Sequence, residues 1–260
     1  MPARKLNLQV QRITHVVSLM MQRLLLMQAL LGLLKHVCSD RLLAQVFQEH
    51  RGRCYEREIA FASLVTWLFA SILPYGTSAF DTLQQKAEWE ELEASYGAYY
   101  AKLRRAPLAV SCELLGEVSA RLRKLLSPQG LHGVPASLQA FVILRVDGKT
   151  IKFVAKRLAV SRKFGKGGLL GGKCLIAFEC ASGLVSVMNA APDGESNETL
   201  LVPGVVRGAQ NHIPGPRLFV ADRQFCDTVQ PLLFSSVPGD HWIVRRHSKV
   251  TFTPDPQRSC

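Results

Sequence analysis

The sequence predicts a protein of mixed α and β class in two parts: an all-helical segment over residues 1–130, and a mixed β-sheet with flanking helices over residues 136–260. Three observations carry that reading. Apolar residues in the first part recur at spacings of three and four, the period of a helix with one buried face. A connector at 127–135, containing Pro and Gly, interrupts that pattern. Beyond it the period becomes that of strands, and two of the apolar runs end on an aspartate.

Taken in order, Val10, Ile13, Val17, Met20, Leu24, Met27, Leu31 and Leu34 define a first helix over 8–37. Shorter helices are predicted at 41–50 and 56–73, the latter stopped by Pro74, then at 81–89, 96–105 and 108–126, the last ending before Ser127-Pro128. In the second part, 141–147 is a buried strand, followed by a basic loop at 156–173 with five glycines. Runs 173–180 and 184–190 form a hairpin around Ala181-Ser182-Gly183. Ser196-Asn197-Glu198-Thr199 signals a helix start, and Pro203 is expected to shorten or kink the helix it opens. A strand at 217–222, a short helix at 227–234 and a strand at 241–245 complete a sheet with helices packed on it. No internal repeat interrupts this order.

The chain is long enough for two cores. It carries a formal net charge of +12, and the sharpest bias lies between Arg145 and Lys173, where nine basic residues face Asp147 alone. Such a field suits a polyanion, nucleic acid being the commonest, or is a solvated basic face. The seven cysteines show no Cys-x-x-Cys pair and no zinc-like spacing with His, which reads as reduced thiols in a cytoplasm. The opening residues carry no signal-peptide cleavage pattern. The apolar stretch 16–34 is broken by Gln22, Arg23 and Gln28, which predicts a buried helix rather than a membrane span.

The residues with the clearest chemistry are the two aspartates. Phe141-Val-Ile-Leu-Arg-Val-Asp147 and Arg217-Leu-Phe-Val-Ala-Asp222 each run along an apolar strand to a carboxylate. A carboxylate at the end of a buried strand is costly to desolvate unless it is paired or bound to a cation. Hard oxygen ligands of this kind suit Mg²⁺ or Mn²⁺. Two structural readings stand beside this one: Asp147-Gly148 as the tight turn of a hairpin, and Asp222 as the cap of a helix starting just after it.

Gly167-Gly-Leu-Leu-Gly-Gly172-Lys173 has the spacing of a phosphate-binding loop. However, Cys174 stands where Ser or Thr would hold Mg²⁺, and the residues after it have the pattern of a strand rather than a helix. Cys226 with His212 or His241 has no spacing that supports a nucleophile pair. His132, His212, His241 and His247 are too dispersed to assign as metal ligands.

Four motifs in register carry a resemblance: Val146-Asp147-Gly148-Lys149-Thr150, Ser196-Asn-Glu-Thr-Leu-Leu201, Leu218-Phe-Val-Ala-Asp222-Arg223-Gln-Phe225 and Trp242-Ile-Val-Arg245. With Tyr99-Tyr-Ala-Lys-Leu-Arg-Arg105 ahead of them, they resemble the DDE transposases of the bacterial insertion-sequence-four type, over roughly residues 55–250. The resemblance implies a ribonuclease-H-like catalytic domain at 136–260 and a DNA-binding or dimerising helical domain at 1–130. Asp147 and Asp222 would be the first two catalytic carboxylates, holding two Mg²⁺ or Mn²⁺ ions that activate the attacking oxygen and stabilise the leaving one. Lys149, Arg223, Arg245 and Arg246 would contact DNA phosphates, which position a substrate without reading its sequence.

The implied partners are double-stranded DNA, as transposon terminal inverted repeats and target, and a second copy of the chain in a homodimer on that DNA. The implied place is a bacterial cytoplasm, at the nucleoid. The resemblance fails at the third carboxylate, a Glu on a later helix: the last glutamate here is Glu198, upstream of Asp222. The chain is therefore expected to be truncated before that residue and to cleave DNA weakly or not at all. Its rivals are a non-catalytic DNA-binding transposase fragment acting as an inhibitor, and a phosphate-loop nucleotide binder.

Overall fold

Where the chain is described, the helical period of the first part and the strand period after residue 141 both become structure. The computed structural model describes residues 25–26, 28–54, 56–72, 94–128, 130–131, 133–151, 172–194 and 196–251. The expected helix at 81–89, most of the expected helix at 8–37 and all but the end of the basic loop at 156–173 lie outside the described residues. The chain divides into two compact units between Ala106 and Pro107.

The first unit is helical. Residues 28–37 form α1, Asp40–His50 α2, Phe61–Ile72 α3 and Tyr96–Arg105 α4. Ser39 caps α2 by accepting from the Leu42 N–H at 3.4 Å, and Asp40 adds a carboxylate to its first turn. Both suit the positive end of a helix. The buried stripe of α2 is Leu42, Leu43, Val46 and Phe47. Residues 56–60, expected within the next helix, are instead its lead-in: the Glu56 carboxylate accepts from the Phe61 N–H at 2.6 Å and satisfies a donor that the first turn leaves unpaired. Phe47 stacks on Phe61 with ring centroids 5.2 Å apart, and Trp67, 1% exposed, meets Tyr99 and Tyr100 edge-on. These aromatic contacts hold α2, α3 and α4 together; truncating a buried Trp of this kind costs about 3–5 kcal/mol.

The second unit is a sheet with helices. Its elements are α5 (Leu108–Leu125), β1 (Val142–Ile151), β2 (Gly172–Glu179), β3 (Leu184–Ala191), α6 (Val202–His212), β4 (Arg217–Ala221), α7 (Gln230–Phe234) and β5 (His241–Val244). The strand order is β3-β2-β1-β4-β5. β1 pairs antiparallel with β2 and β2 with β3, whereas β4 lies parallel to β1 and β5 parallel to β4. The central strand is therefore the boundary between an antiparallel and a parallel half. The hairpin turn at Ala181-Ser182-Gly183 forms as the sequence predicts, with Gly183 at φ +71, a left-handed conformation that glycine adopts without strain.

One face of the sheet buries Leu144, Val146, Leu175, Ala177, Val187, Phe219 and Ala221 against Val202, Val205, Val206 and Ala209 of α6 and Phe234 of α7. Pro203 neither shortens nor kinks α6. It sits in the first turn, where its missing N–H has no helical partner to lose.

The helix α5, grouped by sequence period with the helices before it, packs on β3. Its buried positions include Gly116 and Ser119, small residues that let it lie close. The Ser119 hydroxyl donates to the Val185 carbonyl at 2.8 Å; Arg123 donates to Glu179 at 2.8 Å, to the Ser186 hydroxyl at 3.1 Å and to the His212 carbonyl at 2.9 Å. Those bonds join α5 to the sheet and to the end of α6, which places the unit boundary ahead of Pro107 rather than in the 127–135 connector. Among the described residues no helix is long and apolar enough to cross a membrane.

Candidate functional site

Asp147 lies inside β1, opposite Ile176 of β2, and β1 continues to Ile151. The hairpin-turn reading of Asp147-Gly148 is thereby corrected: ladder partners hold both residues extended through the position where a turn would reverse the chain. On its other side β1 pairs with β4 as far as Val146 against Ala221. Asp147 and Asp222 are thus the next residues on two neighbouring parallel strands, and both are exposed. Asp222 also caps the 3-10 turn Arg223–Phe225, its Oδ1 accepting from the Gln224 N–H at 2.8 Å. The cap reading holds for Asp222 and leaves the carboxylate in solvent.

The basic residues singled out in the sequence lie around this end of the sheet. Lys149 is exposed on β1, two residues beyond Asp147 and so on the same face of the strand. Arg223 follows Asp222 directly and is exposed. The Arg245 N–H donates to the Ala221 carbonyl at 3.2 Å, which ties the residue after β5 to the residue before Asp222. Arg246 is exposed next to it, with its Nε donating to the Val250 carbonyl at 3.3 Å.

Glu198 is the residue whose place the sequence does not reveal. It opens the 3-10 turn Glu198–Leu201, capped by Asn197, and its side chain returns to β1, where a Cβ on Gly148 would overlap its carboxylate. The Gln224 amide donates to it, and the Lys173 ammonium lies 3.5 Å away. Glu198 therefore links β1, β2 and the turn after Asp222. Its signal in the sequence is Gly148, because a glycine inside a strand marks a close approach.

Lys173 stands on a strand and pairs with Glu198, so the helix N-terminus that a phosphate-binding loop requires does not come after it. Cys174, opposite Lys149, has its thiol pushed above the ordinary value by burial, with a smaller opposing effect from the Lys149 carbonyl. It is held as a thiol rather than a thiolate. Cys226 is buried at 7% exposure; His212 faces Glu113 and Glu117, and the His241 ring meets Phe141 edge-on.

The cleft of about 550 Å³ in the first unit is lined by Arg53, Arg57, Lys102 and Arg105 with Glu58 as the acidic member. Among the described residues, the ligating side chains drawn within 4.8 Å of one another are Glu113, Glu117 and His212, not a set containing Asp147 and Asp222. Comparisons with protein-family models, curated proteins and solved structures return no match.

Proposed function

We propose that the second unit is a ribonuclease-H-like core of the DDE transposase type and that the protein acts on double-stranded DNA in transposition. The observation that carries this reading is the pair of exposed carboxylates, Asp147 and Asp222, at consecutive register positions of adjacent parallel strands with exposed arginines beside them. Supporting it is the five-stranded mixed sheet with helices packed on it, the coarse architecture that the resemblance implies for such a core.

Carboxylate oxygens are the donors that Mg²⁺ and Mn²⁺ take, so the two aspartates fit such an ion in kind. Asp147 and Asp222 would hold it, and a bound ion would supply Lewis-acid polarisation of a phosphoryl oxygen. The chain's own contribution is to seat the DNA. Lys149, Arg223, Arg245 and Arg246 would neutralise backbone phosphates around the carboxylates, and a second copy of the chain would sit on the same DNA.

A second reading is DNA binding without cleavage. It is favoured by Glu198, whose carboxylate is engaged by Gln224 and Lys173.

The test measures duplex-DNA binding by the full chain across salt concentrations, together with Mg²⁺- or Mn²⁺-dependent nicking of supercoiled plasmid. Binding should weaken linearly in log–log form with salt, and Arg245→Ala should lower the slope by about one. Nicking that disappears in Asp147→Asn and Asp222→Asn supports the catalytic reading. Binding that both variants retain, with no nicking by the parent chain, supports the second. Absence of binding at low salt removes both.

A further inference from the structure

We propose that Glu113, Glu117 and His212 bind a divalent transition-metal ion of the zinc class, which clips α5 to the C-terminal end of α6. Glu113 and Glu117 are four residues apart on α5 and so share one face of the helix. Gly116 lies between them, and a Cβ there would overlap the His212 imidazole. A glycine inside a helix is destabilising relative to alanine. Here it opens the space in which the ring lies against the helix, flanked by the two carboxylates.

His212 is the last residue of α6, and its side chain is 6% exposed. Its backbone is held to the same helix by Arg123, which donates to the His212 carbonyl at 2.9 Å. Nε2 lies 2.7 Å from Glu113 Oε1, yet the direction between them is not that of a hydrogen bond, and this buried nitrogen has no hydrogen-bond partner. Nδ1 lies 3.8 Å from Glu117 Oε1. The ring thus offers a buried ligand atom to a pocket bearing two carboxylates, an arrangement whose missing component is a cation.

Imidazole with carboxylates is a mixed nitrogen and oxygen set that suits zinc and its neighbours in the first transition row. Tetrahedral ligand bonds of about 2.0–2.2 Å place two ligating atoms roughly 3.3–3.6 Å apart around one ion. The three atoms lie within 4.8 Å, with Nε2 and Glu113 Oε1 2.7 Å apart, so a bound ion would draw the wider pairs in and part that close one. Glu117, with a side chain 41% exposed, can make that adjustment by rotation. Three protein ligands leave a coordination position for water. The clip would fix the end of α6 immediately before the chain enters β4, and it is independent of the carboxylates Asp147 and Asp222.

The experiment uses the full chain, stripped with a chelator and titrated with Zn²⁺ alone by calorimetry. Co²⁺ replaces it in parallel, so that visible absorption reports the ligand set. Saturable uptake of one equivalent is expected, with an unfolding temperature that rises with metal concentration because the folded chain alone presents the site. His212→Gln and Glu113→Gln should each abolish that uptake, and Glu49→Gln, at an exposed position on α2, should leave it unchanged. Should His212→Gln fail to fold, Glu117→Gln at its partly exposed position reads the same loss. No saturable uptake by the parent chain, or uptake and a Co²⁺ spectrum that survive these substitutions, would overturn the proposal.

Discussion

The two ends of β4 treat a carboxylate in opposite ways. At its first residue, Arg217 and Asp240 form a buried pair with side chains 7% and 1% exposed. Both nitrogens used are within 3.0 Å of Asp240, its Oδ1 also accepts from the Arg217 backbone N–H at 3.0 Å, and Arg217 further donates to the carbonyls of Ala209 and Ile213. Five residues later Asp222 stands in solvent with a single local hydrogen bond of 2.8 Å to Gln224. The first end ties together the strand, the end of α6 and the turn before β5. The far end keeps its charge available. A buried pair is favourable only when every polar atom finds a partner, so its presence marks a structural joint. An exposed carboxylate beside a second one and several arginines marks a surface that can meet a ligand.

The largest effect should come from the structural end. Asp240→Ala leaves the Arg217 guanidinium buried without its counter-charge and should destabilise the fold by about 3–5 kcal/mol, read as a shift in the urea unfolding midpoint. Asp222→Ala removes only a cap and should cost about 1 kcal/mol in the same measurement. A loss at Asp222 equal to that at Asp240 would erase the contrast between the two ends.

A smaller effect concerns three partly buried thiols. Burial raises the thiols of Cys112, Cys174 and Cys180 above their ordinary value of 9.0. The folded chain therefore holds these protons more tightly than the unfolded chain does. Their contribution to stability is fully present below the unfolded value and is lost as pH rises from there through the folded value. The unfolding midpoint should fall over that alkaline window, and Cys112→Ala should flatten the fall; an unchanged slope would refute the assignment. The smallest effect belongs to Asp222→Asn, which keeps a capping oxygen and should lie within about 0.5 kcal/mol of the parent chain. Its consequence should appear in cation and DNA assays instead.

Much of the secondary structure was legible. The helices at 96–105 and 108–125, the hairpin around Gly183 and the strand opening at Arg217 arise from period and turn chemistry. Residues 56–60 carry a helical period yet form a lead-in, because Glu56 bonds a backbone N–H five residues away and periodicity does not register a cap formed from that distance. Pro203 has the sequence signature of a breaker, but its effect depends on which turn it occupies, which only the actual helix start decides. Of the candidate site, the aspartates could be named from the chain, since carboxylates ending apolar runs stand out, and the arginines from the resemblance. Glu198 could not, because its approach to Gly148 joins residues far apart in sequence.

By itself the sequence determined most of the helices and strands among the described residues, and that Asp147 and Asp222 each close an apolar run. Those are local properties, set by side-chain period and backbone chemistry. Tertiary structure alone decided that α5 belongs with the sheet, that Asp147 continues a strand rather than making a turn, and that His212 comes to rest on Gly116 between two glutamates. Each depends on which surfaces pack together, and an apolar stripe on a helix specifies that it will be buried without specifying against what.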